Sequence, residues 1–235
     1  MKAKKLILCF LCVWCVSLPQ AWSQRDSISF ASKPTSGLLW QKPLPITLTG
    51  LTIAAGTTPL FLEPMQRQNI LIREEVQMWR RNAFDHRAMY FDNIVQYAPY
   101  SAVVLLNLAG VPSRDERWSL LRRTASTILL TTVVTHSIKH LNLEMRPDRS
   151  SSTSFPSGHT AFAFSGAELL RLEYGKTSVW IPIAGYAVAL LTGFMRIYND
   201  RHWAGDVFAG AGIGMLSADL SFWLNDLWEK KQWKK

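Results

Sequence analysis

The sequence predicts an all-α fold: a helical bundle, mostly transmembrane, with an amphipathic helix region ahead of it. Three observations predict this. Hydrophobic residues fill 48% of the 235 positions and charged residues 18%, the reverse of the balance that keeps a chain disordered. Five apolar segments follow one another between Asn93 and Leu224, and no run alternates apolar and polar residues as a half-buried strand does. Ten Trp are present, and Trp favours membrane interfaces and aromatic-lined sites. The formal charge is +9, yet a mean hydropathy of +0.03 is high for a basic nucleic-acid binder. The basic residues are spread among apolar segments and form no single stripe, so nucleic acid is not an expected partner.

Residues 1–23 read as a secretory signal peptide. Lys2, Lys4 and Lys5 precede an uncharged apolar run from Leu6 to Leu18, and Pro19 breaks it. Ala21-Trp22-Ser23 then sets small residues at the two positions that cleavage requires. An uncleaved anchor helix is the alternative. All three cysteines (Cys9, Cys12, Cys15) fall in this run. A mature chain starting at Gln24 then has no disulfide, no thiolate metal site and no cysteine nucleophile.

Residues 24–92 form an N-terminal region. Gln24 to Lys42 is a polar, extended lead-in. Pro45 to Leu62 is apolar but contains Gly50, Gly56, Thr57, Thr58 and Pro59, a poor helix core that points to a broken or re-entrant segment. Within Glu63 to Arg87, Ile72, Val76, Trp79 and Ala83 share a face at i, i+4, i+7 and i+11. Arg73, Glu74, Gln77, Arg80 and Arg81 take the rest, which makes an amphipathic helix. Such a helix lies in a membrane surface or packs on its own domain, and the pattern leaves both open.

Residues 93–228 form the bundle, and 229–235 a basic tail. Asn93 to Ser113 is uncharged over 21 residues, Thr124 to Ile138 over 15 and Thr177 to Met195 over 19. His159 to Leu170 carries one acid, Glu168, and Val207 to Leu224 one, Asp219. Crossing hydrocarbon takes about 20 residues. Two segments meet that length and three fall short, and those three could span only by burying polar ends in a bundle. Arg114, Arg117, Arg122 and Arg123 crowd one connection, Arg171 and Lys176 flank another, and Lys230, Lys231, Lys234 and Lys235 end the chain. If all five segments span, these places share one side, and the positive-inside rule makes it the cytoplasm. The connections Lys139 to Gly158 and Arg196 to Gly205 then face the periplasm. Trp118, Trp180, Trp203 and Trp223 stand near segment ends, where an aromatic belt would put them.

The two outward connections hold the chemistry-bearing residues. Lys139 is followed after six residues by Arg146-Pro147, and Pro156-Ser157-Gly158-His159 opens an apolar helix. Arg196 is followed after five residues by His202 and after three more by Asp206. A phosphate needs positive donors around its non-bridging oxygens, which Lys139, Arg146 and Arg196 supply, the arginines with a planar fork. Ser157 and Gly158 at a helix start offer free N–H groups to an anion, with Pro156 presetting φ. Four residues apart on one helix face, Asp206 can hold one ring nitrogen of His202 and leave the other as a nucleophile. His159 at the opposite helix start can protonate the departing oxygen. His86, His136 and His140 match no such pattern and read as surface or packing residues.

This constellation resembles the type 2 phosphatidic acid phosphatase and vanadium haloperoxidase superfamily, whose signature is K-x6-RP, PSGH and SR-x5-H-x3-D. Every charged or titratable position is present in order and spacing across roughly Asn93 to Leu224. One position departs: Met195 stands where the family has Ser, a helper group, so one hydrogen bond is lost. The resemblance implies a metal-independent phosphatase working through phosphohistidine, with His202, His159 and Asp206 catalytic, and Lys139, Arg146, Ser157, Gly158 and Arg196 binding phosphate. It implies no metal and no cofactor. The expected partners are a membrane and a phosphorylated lipid: phosphatidic acid, phosphatidylglycerol phosphate, undecaprenyl diphosphate or lipid A. No protein partner is indicated. The expected location is a bacterial inner membrane, with the site facing the periplasm. A soluble periplasmic acid phosphatase is the alternative, and a vanadium haloperoxidase a more distant one.

Overall fold

A computed structural model describes residues 46–60, 62–84 and 88–232. The signal peptide with its three cysteines, the polar lead-in, His86, Arg87, Lys234 and Lys235 lie outside the described residues. Helices α1 (Ile46–Thr57), α2 (Glu63–Phe84), α3 (Asp92–Val95), α4 (Ala98–Leu108), α5 (Arg117–Lys139), α6 (Gly158–Tyr174), α7 (Trp180–Tyr198) and α8 (Ala204–Gln232) follow in order, with a 3₁₀ turn at Thr58–Leu60. Among the described residues the extended structure is one isolated parallel bridge between Glu144 and Thr153. The fold is all-α, as the patterning requires.

Helix α6 is the centre of the bundle. It touches α4, α5, α7 and α8, and it is buried nearly all round from Thr160 to Tyr174, the mark of a core helix. Small residues bring α8 close to it. A Cβ on Gly214 would overlap the backbone oxygen of Ala161, and one on Gly210 would crowd Ser157. The opposite face of α8 receives α1 in the same way, because a Cβ on Gly56 would overlap Ala209. Leu169, Leu170, Tyr174, Val103, Leu120 and Phe222 form the apolar core where α4, α5, α6 and α8 meet.

Several expectations change in the structure. Within Pro45 to Leu62, Gly50, Gly56 and Thr57 sit in a regular twelve-residue α1, in which Thr52 and Gly56 are the small groups that let it seat on α8, and Thr58 and Pro59 fall in the 3₁₀ turn that follows. Asn93 to Ser113 is not one span. It divides into α3 and the eleven-residue α4, with Pro99 in the first turn of the new helix, where a missing N–H costs nothing. Val207 to Leu224 is the middle of the much longer α8. Among the described residues, the helices long and apolar enough to cross a membrane are α7 and α8.

Helix α2 packs on its own domain, and its polar residues help to hold it there. Val76 is buried and Ile72 and Trp79 are partly so, whereas Ala83 is exposed. Arg73 grips Asp200 with two bonds of 2.7 and 2.8 Å. Gln77 and Arg80 donate to the carbonyl of Tyr198 at 3.2 and 3.1 Å. One polar stripe thus satisfies carbonyls at the end of α7, which have no partner inside their own helix. Trp79 adds edge contacts to Phe194 and Tyr198. The sequence sets a boundary at 92/93, and across it α1 and α2 lie against α8 and α7.

The bundle has two unlike ends. At one, Arg123 is buried and paired with Asp115 at 2.8 Å, Asp226 at 2.7 Å and Glu229 at 3.4 Å. Arg114 and Arg122 join through Asp226 and Glu229. Three of the four arginines that crowd this connection, Arg114, Arg122 and Arg123, thus pair with acids of α8. Trp118, Trp180 and Trp223 are exposed at this end, but Trp203 is not with them. At the other end the two long connections meet: the Asp148 N–H donates to the Asp200 carbonyl at 3.2 Å, and Arg201 pairs with Asp148 at 3.0 Å.

Candidate active site

Four helix ends and one strap, residues 140–157, converge here. Lys139 is the last residue of α5. Arg196 lies in the last turn of α7. Ser157 caps α6, with Gly158 and His159 in its first turn, and His202 and Asp206 flank the start of α8. Arg146 comes from the strap. Its fold is fixed by bonds from Arg146 N to Ser151 O at 2.9 Å and from Ser154 N to Glu144 O at 3.0 Å.

His202 is 2% exposed and Asp206 is fully buried. The Asp206 carboxylate meets His202 Nδ1 at 3.2 Å. The same Oδ2 accepts Ser154 Oγ at 2.5 Å and Trp203 N at 2.9 Å. Held by Nδ1, the ring keeps Nε2 for something else. Burial lowers the His202 pKa to about 4, an effect that Asp206 opposes without cancelling. His159 is also lowered to about 4, by burial first and then by the Arg196 charge. Its Nε2 lies 2.9 Å from Asn93 Oδ1. Both imidazoles are thus neutral near pH 7.

Three cations surround this pair of histidines. Lys139 Nζ donates to the carbonyls of Thr153 at 2.8 Å and Ser154 at 3.4 Å. Burial, then Arg146, brings its pKa down to about 8. Arg196 is 6% exposed and forms an ion pair with Asp92, itself fully buried. The Nε atoms of Arg146 and Arg196 are buried and meet no acceptor among the described residues. Buried donors without partners are costly, and an anion seated among these groups would supply what they lack.

Every site residue expected from spacing thus lies at this one end. Two details differ from expectation. The Ser157 N–H is spent on the Asp206 carbonyl at 3.0 Å, and its hydroxyl on Thr160 at 2.8 Å, so the amides left for an anion begin at Gly158. Pro156 lies outside α6 and does not preset its first turn. Asp92, Asn93, Ser154, Glu144 and Asn199 were not found from sequence. Asn199 Nδ2 fixes Asp92 Oδ1 at 3.2 Å, and Asp92 in turn holds Arg196. No spacing signal marks these residues, because they reach the site from neighbouring elements. Trp203 lies at this end, where its Nε1 donates to the Met145 carbonyl at 2.8 Å and Arg73 stacks over its ring at 5.9 Å. Buried Met195 replaces the helper Ser beside Arg196.

The PAP2 superfamily pattern matches residues 120–229, which contain Lys139, Arg146, His159, Arg196, His202 and Asp206. By this match the chain resembles the PAP2 superfamily over residues 120–229. A lipid A 1-phosphatase of Porphyromonas gingivalis is 41% identical over 137 residues, 58% of this chain and 31% of that protein. The chain spans about a third of the length of the curated relatives it matches. The crystal structure of Aquifex aeolicus LpxE superposes with a TM-score of 0.51 at 25% identity, covering 66% of this chain and 94% of that one. A transmembrane PAP2-type phosphatidylglycerolphosphate phosphatase from Bacillus subtilis shares the fold, with a TM-score of 0.51 at 19% identity over 79% of this chain and 96% of that one.

Proposed function

We propose that this protein is a membrane phosphatase that removes a phosphate from a lipid through a phosphohistidine on His202. The observation that carries the reading is the buried His202–Asp206 pair set among Lys139, Arg146 and Arg196, with two guanidinium Nε donors awaiting an anion. In the first step Nε2 of His202 attacks phosphorus, and the ester oxygen leaves with a proton from His159. A bound phosphate dianion raises the proton affinity of His159, since an opposite charge nearby favours the cation. In the second step His159 takes a proton from water, whose oxygen attacks the phosphohistidine and releases inorganic phosphate and His202. The three cations stabilise the charge spread over the equatorial oxygens, the work a metal does in other phosphoryl transfers. The signature assigns Ser157 and Gly158 to the same anion, and with the Ser157 N–H already committed, the Gly158 amide is the donor we assign to it.

A lipid substrate is favoured over a soluble ester by the outer surface. Leu105, Leu108, Leu129 and Leu121 are between 57% and 77% exposed, large apolar side chains that lipid would cover. The lipid A 1-phosphatase relative makes phosphorylated lipid A the first substrate to try, ahead of phosphatidic acid, phosphatidylglycerol phosphate and undecaprenyl diphosphate. The site faces the periplasm in this reading.

Phosphate release by the purified full-length protein in detergent tests the proposal. Activity on one of these lipids is expected to persist in EDTA, to be blocked by vanadate, and to vanish in His202→Ala. Loss of activity in EDTA with recovery on adding a divalent metal, or turnover by His202→Ala, would refute the mechanism.

A further inference from the structure

Asp206 carries an asymmetric load. Its Oδ2 takes three donors, from Ser154, Trp203 and His202. Its Oδ1 is just as buried and takes none of them. Glu144 comes to this carboxylate from the strap, near enough for the two carboxyl groups to share a hydrogen bond. Two carboxylates can do so only if one carries a proton. Asp206 has the donors that favour a charge, and the Glu144 carboxyl receives none among the described residues. The proton therefore belongs to Glu144, and Oδ1 is the acceptor left for it.

The backbone holds Glu144 in place for this contact. Its carbonyl accepts Ser154 N at 3.0 Å, and it bridges to Thr153. Thr153 and Ser154 are also the residues whose carbonyls hold Lys139 Nζ. One short stretch thus fixes Glu144, the Ser154 hydroxyl and the Lys139 ammonium together.

We propose that Glu144 is a positioning residue of this site, a protonated carboxyl that donates to Oδ1 of Asp206 and so fixes the carboxylate that orients His202. The family signature is silent on it, since it falls in the unassigned six residues between Lys139 and Arg146. Burial, and then Asp206 beside it, pushes the Glu144 carboxyl up to about 9, so it keeps its proton at neutral pH. The other charged or titratable groups around the pair are His202 at the start of α8, Lys139 from α5, Arg196 from α7 and Arg146 from the same strap. When Glu144 ionises, two negative carboxylates face each other and Asp206 loses its donor.

The proposal rests on the phosphatase reading, because turnover is its readout. The experiment is steady-state phosphate release by the full-length protein on the lipid phosphate that the wild type hydrolyses, with Glu144→Leu and Glu144→Gln. Glu144→Leu removes the donor. Its kcat is expected to fall about 10- to 100-fold with KM little changed, the range seen when a partner that orients a histidine is lost. Glu144→Gln keeps an N–H donor without a titrating proton. At pH 7 its kcat is expected to return close to wild type, and the steepening of the wild-type alkaline limb above pH about 9 is expected to disappear. Should Glu144→Leu fail to fold, Glu144→Gln decides alone. An unimpaired kcat in Glu144→Leu, a Gln variant as slow as Leu, or a Gln variant with the wild-type alkaline limb would overturn the proposal while leaving the phosphatase reading intact. A wild type that releases phosphate from none of the lipids would remove that reading, and this proposal with it.

Discussion

The charge states of single residues set the pH window of this site. In the proposed mechanism His202 must be neutral to attack, and burial lowers its pKa to about 4. It is therefore a nucleophile above that pH and is silenced by protonation below it. Lys139 must be cationic to hold phosphate, and its pKa is lowered to about 8, so its contribution is present below that pH and lost above it. The profile of kcat/KM is expected to be a bell between these limits, since kcat/KM reports groups of the free enzyme. Lys139→Arg separates the two limbs. Guanidinium stays charged throughout this range, so the alkaline limb should move up by at least one pH unit, to about 9 or beyond, while the acid limb stays. A Lys139→Arg profile identical to wild type would assign the alkaline limb to another group. The residues carrying this chemistry are legible in the sequence because the reaction demands particular types at fixed spacing. Asp92 and Ser154 are not, because an acid or a hydroxyl that supports Arg196 or Asp206 has no required distance along the chain.

At the scale of elements, packing decided what composition left open. The Gly and Thr residues of Ile46–Thr57 look like helix breakers, and each Gly does cost a helix about 1 kcal/mol relative to Ala. Gly56 meets that cost through close approach to Ala209, whereas Gly50 has open space around it. The same distinction divides the glycines of α8. Gly214→Ala is expected to destabilise the protein by about 1–3 kcal/mol, since its methyl must displace the Ala161 backbone and backbone cannot yield cheaply. Gly50→Ala is expected to be neutral or to stabilise by up to about 1 kcal/mol. Thermal unfolding of the two variants in detergent checks the pair, and a Gly214→Ala midpoint at or above that of Gly50→Ala would show that α6 and α8 do not approach as closely as described. Apolar length alone misleads at Asn93 to Ser113, because it does not register that Pro99 begins a new helix.

Across the whole molecule the chemistry is at one end and the buried ion network at the other. Arg123, Asp115, Asp226 and Glu229 tie α5 to α8 at the far end, where exposed Trp118, Trp180 and Trp223 also gather. Basic residues are counted one by one in the orientation rule, acids contributing little, so this pairing leaves the expected cytoplasmic side unchanged. Single cysteines at Ser150, in the strap, and at Lys176, in the far connection, test it in full-length protein whose three native cysteines are replaced. In intact cells a membrane-impermeant maleimide is expected to label Ser150→Cys and spare Lys176→Cys. Labelling of Lys176→Cys alone would invert the orientation and put the active site in the cytoplasm.

The sequence by itself determined the helical class and named the residues proposed to carry the chemistry. An apolar run without alternation has only helices to form in a bilayer, because every backbone group must be satisfied within its own segment. A phosphate-transfer site likewise constrains which charges appear and how far apart they stand on a helix turn. Tertiary structure decided the rest. It split one apparent span into α3 and α4, seated α1 on α8, and turned Arg73, Gln77 and Arg80 inward to the end of α7. It also brought Asp92 to Arg196 and Glu144 to Asp206. These contacts join residues whose separation along the chain is arbitrary, so only the packing of the helices could bring them together.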